Sequence, residues 1–280
     1  MTAERLLAAI MLVALTFGAG LEVDREHLIA TLKNVGLIVR AFIANFVVVP
    51  VAGFLVADVL RLPANVATGF LLMAAAPGVP FVLAGARKKG GRLGLAVALA
   101  LFLPLLSIVT VPLTLALILP AGVRAEFPIA KFAITLVLFQ LLPLIIGVVV
   151  GGRFPEAADK FKKPIQIVFV AAIITLVVLL MPKLVHDVPL VYGSHGMWAM
   201  LILVLISFSL GWWFGGPARE DRRILAIGTA LRNIGLCALI ASGFADPHVA
   251  AAVIAYFIIQ FIVTTAFGAY FKRTVKEVIV

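Results

Sequence analysis

One arginine lies in the middle of an apolar stretch that begins with two others. Residues 222–244 read RRILAIGTALRNIGLCALIASGF, and Arg232 follows Arg222 by ten residues. An α-helix rises 1.5 Å per residue, so Arg232 would lie roughly 15 Å beyond Arg222, which is about half of a ~30 Å hydrocarbon core. A charged side chain at that depth costs about 2.5–3.5 kcal/mol. A cost of this size requires a specific compensating contact.

Two interpretations of Arg232 are open. In the first, it is a structural clamp that hydrogen-bonds carbonyls of a neighbouring interrupted helix. In the second, it is a fixed positive charge in a site for an anion, because ionisable groups inside a membrane are candidate functional residues by default. Thr229 and Ser242 belong to the same predicted helix and are further candidates for lining such a site.

The composition places these residues in a membrane protein. The chain of 280 residues is 64% hydrophobic and 13% charged, with a mean hydropathy of +1.20. A soluble domain of this size could not bury so much apolar surface, and the apolar runs are long enough for helices that span a lipid bilayer. The net charge of +10 comes from short loops between apolar segments, which indicates membrane orientation and no nucleic-acid partner.

The apolar runs predict nine spans, and the basic residues predict their orientation. Seventeen of the 23 lysines and arginines fall on one side of this arrangement, which predicts that side as cytoplasmic. The N-terminus is then outside and the C-terminus inside the cytoplasmic membrane. A cleaved signal peptide would reverse this orientation, so we expect the first segment to remain as a span. The predicted spans are residues 5–21, 36–60, 65–89, 92–119, 128–151, 164–181, 196–215, 222–244 and 248–271.

Span 3 is predicted to be broken near its middle. Pro77-Gly78-Val79-Pro80 interrupts the apolar run, because Pro80 lacks a backbone donor and disfavours helix at Val79. A simple proline kink is the alternative. Unpaired backbone at this depth is tolerated only when it is buried in protein or lines a cavity.

The two halves of the chain place their irregular spans in corresponding positions. Spans 2–4 and spans 7–9 are both triplets, and the middle member of each carries the interruption or the charge. Corresponding interrupted helices in two halves are typical of inverted-repeat transporters with a site at the membrane midplane. The fold class is therefore predicted to be an all-α polytopic membrane protein with two crossing unwound helices.

Four segments in order resemble the bile acid:sodium symporter family, in a nine-helix form. They are FGAGLEVD in span 1, ANFVVVP in span 2, LPANVATGFLLMAAAPG in span 3 and RRILAIGTALRNIGLCALIA in span 8. The resemblance implies a panel domain, residues 1–35 and 120–190, against a core domain, residues 36–119 and 191–280. It also implies a substrate site where spans 3 and 8 cross. The candidate substrate-binding residues are Arg232, Asn233, Thr229, Asn45, Gly78, Val79 and Phe81.

The chain departs from that family at the positions implied to bind sodium. After Pro77-Gly78, the serine and asparagine of the family pattern are replaced by Val82 and Leu83. The hydroxyl residues of the next helix align with alanines, Ala96 and Ala100. These replacements remove oxygen ligands from the first crossing segment.

The second crossing segment departs in the same direction. The pattern E-x-G-x-Q-N aligns with residues 228–233, so the glutamate becomes Gly228 and the glutamine becomes Arg232, while Asn233 is kept. Asn45 aligns with a glutamine in span 2. All 13 acidic residues lie in loops or at span ends, which leaves no carboxylate at the midplane to bind sodium or carry a proton.

The sequence thus predicts a secondary transporter of a small organic anion in which sodium coupling is lost and Arg232 acts as a fixed cation. The alternatives are a sodium-coupled symporter with a rebuilt ion site and a ligand sensor or scaffold that does not transport. An intramembrane enzyme is disfavoured, since no catalytic triad, phosphate loop or redox motif is present. The single cysteine, Cys237, predicts neither a disulfide nor a metal site, and no cofactor is expected.

Overall fold

The computed structural model describes residues 2–23, 35–78, 93–125 and 127–276, and this part of the chain is helical throughout apart from turns and one isolated backbone bridge. In chain order the helices are α1 (Ala3–Leu21), α2 (Val35–Val59), α3 (Ala64–Ala75), α4 (Leu93–Ile118), α5 (Ala121–Ala125), α6 (Ile129–Arg153), α7 (Pro155–Gly193), α8 (Gly196–Phe214), α9 (Arg219–Ala230), α10 (Ile234–Ala241) and α11 (Pro247–Lys276).

Seven of the described helices contain segments long and apolar enough to cross a membrane: α1, α2, α4, α6, α7, α8 and α11. They correspond to predicted spans 1, 2, 4, 5, 6, 7 and 9. Leucine, isoleucine and valine side chains are exposed along these helices, as expected where lipid tails cover them. The chain is therefore a polytopic helical membrane protein. Helix α7 is much longer than the predicted span 164–181: it begins at Pro155, a residue type well tolerated at the first helical position, and it continues to Gly193.

In the two remaining predicted spans, 3 and 8, a regular helix ends inside the span. Helix α3 ends at Ala75, two residues before Pro77. The rest of predicted span 3, including Val79, Pro80 and Phe81, lies outside the described residues. In predicted span 8, extended backbone at residues 231–233 separates α9 from α10. The count of nine spans stays a prediction.

Two long helices contain a widened π-helical turn next to a proline. In α2 the turn is Ala44–Val48, just before Pro50, and in α6 it is Val137–Leu141, just before Pro143. A proline ring clashes with the carbonyl four residues earlier, and a π turn absorbs this by changing the register of the hydrogen bonds. Each π turn also contains a buried polar side chain, Asn45 in α2 and Gln140 in α6.

Helix α1 packs closely against α6 and α7. A Cβ atom added to Gly20 would lie 2.5 Å from the Leu144 carbonyl oxygen, and one added to Gly147 would lie 2.3 Å from that of Phe17. Small residues allow such backbone approach between membrane helices. A second closely packed region contains α2, α3, α8, α9 and α11. In it α3 contacts α11 and α2, and α8 contacts α9. The polar residues of the candidate site lie in that region.

Candidate functional site

The two interruptions in the helices meet each other. Gly78, after the end of α3, forms an antiparallel backbone bridge with Arg232, between α9 and α10. The Asn233 amide donates to the Pro77 carbonyl at 3.2 Å. These contacts pair backbone groups that the broken helices leave unused, as buried polar backbone requires.

Gly78 is required at this crossing by space alone. A Cβ atom built on it would lie 1.7 Å from the Gly228 carbonyl oxygen, far inside any van der Waals contact. The Gly78 amide donates to Asn45 Oδ1 at 3.0 Å. The Pro-Gly pair in the sequence therefore serves both to end α3 and to let the two backbones touch.

The Arg232 side chain is completely buried beside this crossing and is surrounded by oxygen atoms. Its Nη1 donates to the Ala76 carbonyl at 2.9 Å and to Asn45 Oδ1 at 3.4 Å, and its Nη2 donates to Ser207 Oγ at 3.3 Å. The charged guanidinium therefore donates to a backbone carbonyl, an amide oxygen and a hydroxyl. The contact with Ala76 is the kind of carbonyl clamp that the first interpretation of Arg232 predicted.

The backbone of Arg232 is held independently of its side chain. Its amide donates to Gln260 Oε1 at 2.9 Å, and its carbonyl accepts from Gln260 Nε2 at 3.2 Å. One glutamine side chain of α11 thus replaces both helical hydrogen bonds of the residue at the break. This arrangement fixes the direction in which the guanidinium leaves the chain.

Helix ends of both signs lie at the crossing. Helices α3 and α9 end there, with partial negative charge on their unpaired carbonyls, whereas α10 begins there with partial positive charge. Within the described ranges, no carboxylate pairs with Arg232, so carbonyl dipoles and neutral oxygens stabilise it. Its Nε has no hydrogen-bond acceptor in the same part of the chain, while Tyr256 and Cys237 are near enough to interact with it electrostatically.

Asn45 connects three of the elements at the site. Its Oδ1 accepts from Gly78 and Arg232, and its Nδ2 donates to the Ala41 carbonyl at 2.9 Å and to Thr229 Oγ1 at 3.3 Å. The π turn that contains Asn45 widens α2 at this position. The amide therefore bridges α2, the end of α3 and α9.

Asn233 has a different local role. Its Oδ1 accepts from the Leu236 amide at 3.0 Å, so it caps the N-terminus of α10. The nearby thiol of Cys237 donates to the Leu72 carbonyl at 3.3 Å, near the end of α3. Both contacts fasten α10 in place after the break.

Five of the seven sequence-predicted site residues therefore lie at the crossing. Asn45, Gly78, Thr229 and Arg232 form one contact network, and Asn233 lies beside it as a helix cap. Val79 and Phe81 lie outside the described residues. Ser242 donates to the Leu239 carbonyl of its own helix.

The sequence interpretation missed Ser207, which accepts a hydrogen bond from Arg232. Ser207 is a buried hydroxyl within apolar α8, and buried polar side chains in spans are the signal that would have indicated it. Gln260 and Gln140 are further buried polar side chains within the described helices. Gln140 of α6 donates to the Pro104 carbonyl and to Ser107 Oγ of α4, both at 2.7 Å.

A cavity of about 640 Å³ adjoins the crossing between α7 and α11. Its walls are mainly aliphatic and aromatic. The polar residues of the lining are Arg232, Gln260, Thr264 and Thr265. Such a volume, mostly apolar with a few polar residues, is typical of small-molecule sites. The cavity is lined by Phe169, Val170, Ile173, Ile174, Val177, Val178, Ile227, Leu231, Arg232, Ile234, Phe257, Gln260, Phe261, Thr264, Thr265 and Gly268.

Comparison with known proteins identifies relatives of the chain. It is 25% identical over 241 residues to the probable sodium/metabolite cotransporter BASS2, chloroplastic, of Oryza sativa subsp. japonica, covering 84% of this chain and 57% of that protein. It is 23% identical over 246 residues to the uncharacterized sodium-dependent transporter YocS of Bacillus subtilis (strain 168), covering 85% and 74%. The P3 protein of Bos taurus is 24% identical over 220 residues, covering 76% and 46%.

The chain thus spans little more than half the length of the rice relative. The family model described as the Sodium Bile acid symporter family matches residues 9–186, well over half of the chain. The match ends before the second interruption, so the family assignment does not depend on Arg232. The resemblance found in the sequence is confirmed: the chain belongs to the sodium bile acid symporter family, whose members are transporters and not enzymes.

Proposed function

We propose that the protein is a secondary transporter that moves a small organic anion across the cytoplasmic membrane without a sodium requirement, with Arg232 as a built-in cation. The observation that carries this proposal is the oxygen environment of the buried guanidinium, made of Ala76, Asn45 and Ser207. Hard cations such as sodium take ligands of these types, as calcium and magnesium do. Here these oxygens accept hydrogen bonds from the Arg232 side chain instead.

The charge of Arg232 argues against sodium binding at the same oxygens. Two unit charges 4 Å apart repel by about 4 kcal/mol at an effective dielectric constant of about 20, which weakens binding by roughly a thousandfold. No carboxylate of the described chain lies there to offset this repulsion. The fixed charge of Arg232 therefore makes the binding of a sodium ion at these oxygens unfavourable.

The cavity beside the crossing supports an organic anion as substrate. Its apolar walls suit a hydrocarbon body, and its few polar residues include Arg232 and Gln260. Because the guanidinium is buried in this conformation, it attracts an anion through its field. Direct bidentate contact, which arginine geometry favours for carboxylates, requires the surrounding helices to move.

The packing of the helices supports a motion of two bodies. Helices α1, α6 and α7 pack together and lie in the proposed panel domain, while α2, α3, α4 and α8–α11 lie in the proposed core domain. The cavity lies between α7 of the panel and α11 of the core. Rocking of one body against the other would expose such a site alternately to the two sides, as in other inverted-repeat transporters.

The electrical driving force then sets the natural direction of transport. One elementary charge crossing 100 mV carries about 2.3 kcal/mol. A monoanion without a co-transported cation is driven out of a cell that is negative inside. Efflux, or exchange against another anion, follows more readily than concentrative uptake.

A sodium-coupled symporter is the second candidate, because two relatives carry sodium in their names. The test is anion flux in proteoliposomes, with external sodium replaced by potassium or choline at constant ionic strength. We expect the flux to be unchanged, because Arg232 already occupies the cation position. A steep, saturable dependence on sodium would reject the proposal in favour of this candidate, and the absence of flux for every organic anion tried would favour a sensor or scaffold.

A further inference from the structure

Two arginine side chains approach the same glycine in the turn between α8 and α9. The Arg222 Nε donates to the carbonyl of Gly216. Arg40, from α2, lies against the same glycine, since a Cβ atom built on Gly216 would be 3.5 Å from Arg40 Nη1 and 3.7 Å from Nη2. The Arg40 Nε donates to the Gly36 carbonyl at 3.0 Å. Each guanidinium is thus anchored through Nε to a backbone carbonyl.

The terminal nitrogens of both arginines have no partner within the described part of the chain. Among the described residues, neither Arg40 nor Arg222 forms a salt bridge, and their Nη atoms have no hydrogen-bond acceptor. Two anchored guanidinium groups that pair with no described carboxylate form a concentrated positive charge. Planar donors in this arrangement suit a phosphate group.

An aromatic groove of about 520 Å³ begins at Arg222 and runs between α8 and α11. The rings along it are packed on one another. Phe208 stacks on Phe267 with centroids 4.0 Å apart, and Trp212 stacks on Phe271 at 5.5 Å. The groove is lined by Phe208, Trp212, Trp213, Phe267, Tyr270 and Phe271, together with Ser209 and Arg222.

The position of the groove relates it to the membrane surface. Trp213 is 82% exposed and Tyr270 is 61% exposed, and amphipathic rings of these types concentrate at the boundary between hydrocarbon and headgroups. Helix α8 ends one residue after Trp213, at Phe214. The arginine pair therefore lies at headgroup level, with the aromatic groove leading from it along apolar helices.

We propose that this groove binds one anionic phospholipid, whose phosphate lies between Arg40 and Arg222 and whose acyl chain follows the aromatic residues. Charge complementarity selects an anionic headgroup, and the groove provides the contact that a soluble phosphate could not use. The predicted orientation places the arginine pair at the cytoplasmic leaflet, where anionic lipids are enriched. The site is separate from the crossing and from the cavity beside it.

The test is lipid retention by the purified full-length protein in native mass spectrometry. The protein is incubated with phosphatidylglycerol and phosphatidylcholine that carry identical acyl chains. We expect phosphatidylglycerol to be retained about fivefold more, from the contribution of one well-placed arginine at a membrane surface. Arg222→Gln should remove this preference, whereas Arg219→Gln, an exposed arginine on the same helix outside the groove, should keep it.

A second pair of measurements separates the headgroup from the acyl chain. Trp213→Ala changes no charge and should lower retention of both lipids. Glycerol 3-phosphate at millimolar concentration should not displace the bound lipid. If Arg222→Gln fails to fold, Arg40→Gln provides the same comparison. The proposal is overturned if both arginine variants keep the preference, if the wild type shows none, or if glycerol 3-phosphate displaces the lipid, which would indicate a site for a soluble anion.

Discussion

Replacing Arg232, the tethered cation, should make the melting temperature of the protein depend on sodium. Arg232→Gln removes the guanidinium and leaves the Ala76 carbonyl, Asn45 Oδ1 and Ser207 Oγ grouped at the crossing without their donor. Glutamine is the residue that the family pattern places at this position, so we expect the variant to fold. It lacks a charge that would repel sodium, and its own amide oxygen adds a ligand.

The size of the response follows from binding linkage. A sodium dissociation constant of about 10 mM would stabilise the variant by about 1.4 kcal/mol in 100 mM sodium chloride, and about 1 kcal/mol shifts the melting temperature of a domain near this size by roughly 2–4 °C. We therefore expect the variant to melt about 3–5 °C higher in sodium chloride than in choline chloride. The wild type should show no such difference, because repulsion by Arg232 weakens sodium binding by about a thousandfold.

The assay is thermal unfolding of detergent-purified protein in the two salts at equal ionic strength. Ser207→Ala is the matched control, since it removes one oxygen of the same group but keeps the guanidinium. It should melt at the same temperature in both salts. A folded Arg232→Gln protein with no sodium response, or a wild type with a saturable one, would refute the interpretation of Arg232 as a built-in cation.

Three further predictions test the fold. Gly78→Ala should prevent folding, because its Cβ atom would lie 1.7 Å from the Gly228 carbonyl oxygen. Gly152→Ala, with no atom within 4 Å of the added Cβ, should elute normally in size-exclusion chromatography. Normal elution of both variants would contradict the crossing geometry. Gln140→Leu should lower the free energy of unfolding by about 1–3 kcal/mol, because it loses the hydrogen bonds to α4. Gln166→Leu, at an exposed position, should leave it unchanged. Equal melting temperatures of the two variants would count against a stabilising role of the bonds between Gln140 and α4. A reporter fused after residue 280 should signal from the cytoplasm, and a signal from the outside would reverse the predicted orientation.

Sequence patterns predicted the features that arise from local chemistry. Continuous apolar runs indicate membrane helices because each run must satisfy its own backbone in lipid, and seven described helices agree with the runs. The Pro-Gly pair at residues 77–78 indicates an end to helix for equally local reasons. Arg232 was identified by its depth, which depends only on counting residues along a helix.

Features that depend on contacts between distant segments could not be predicted in the same way. Ser207 is one hydroxyl among apolar residues of α8, and only the packing of α8 against the crossing brings it to Arg232. The pairing of Gln260 with both backbone groups of Arg232 joins residues 28 positions apart. The cavity likewise arises from the way α7, α9 and α11 pack together, which no property of one helix alone specifies.

Under the proposed function, the tethered charge explains why sodium would no longer drive transport. A ligand shifts a conformational equilibrium only by the difference in its affinity for the two states. A mobile sodium ion can bind in one state and leave in the other, and so can transfer the free energy of its gradient to the substrate. Arg232 is covalently fixed between α9 and α10 and cannot leave. It offsets the negative helix ends of α3 and α9 in every state in which they remain together. The same charge that stabilises the crossing therefore contributes no gradient energy, and the substrate's own electrochemical gradient remains as the driving force.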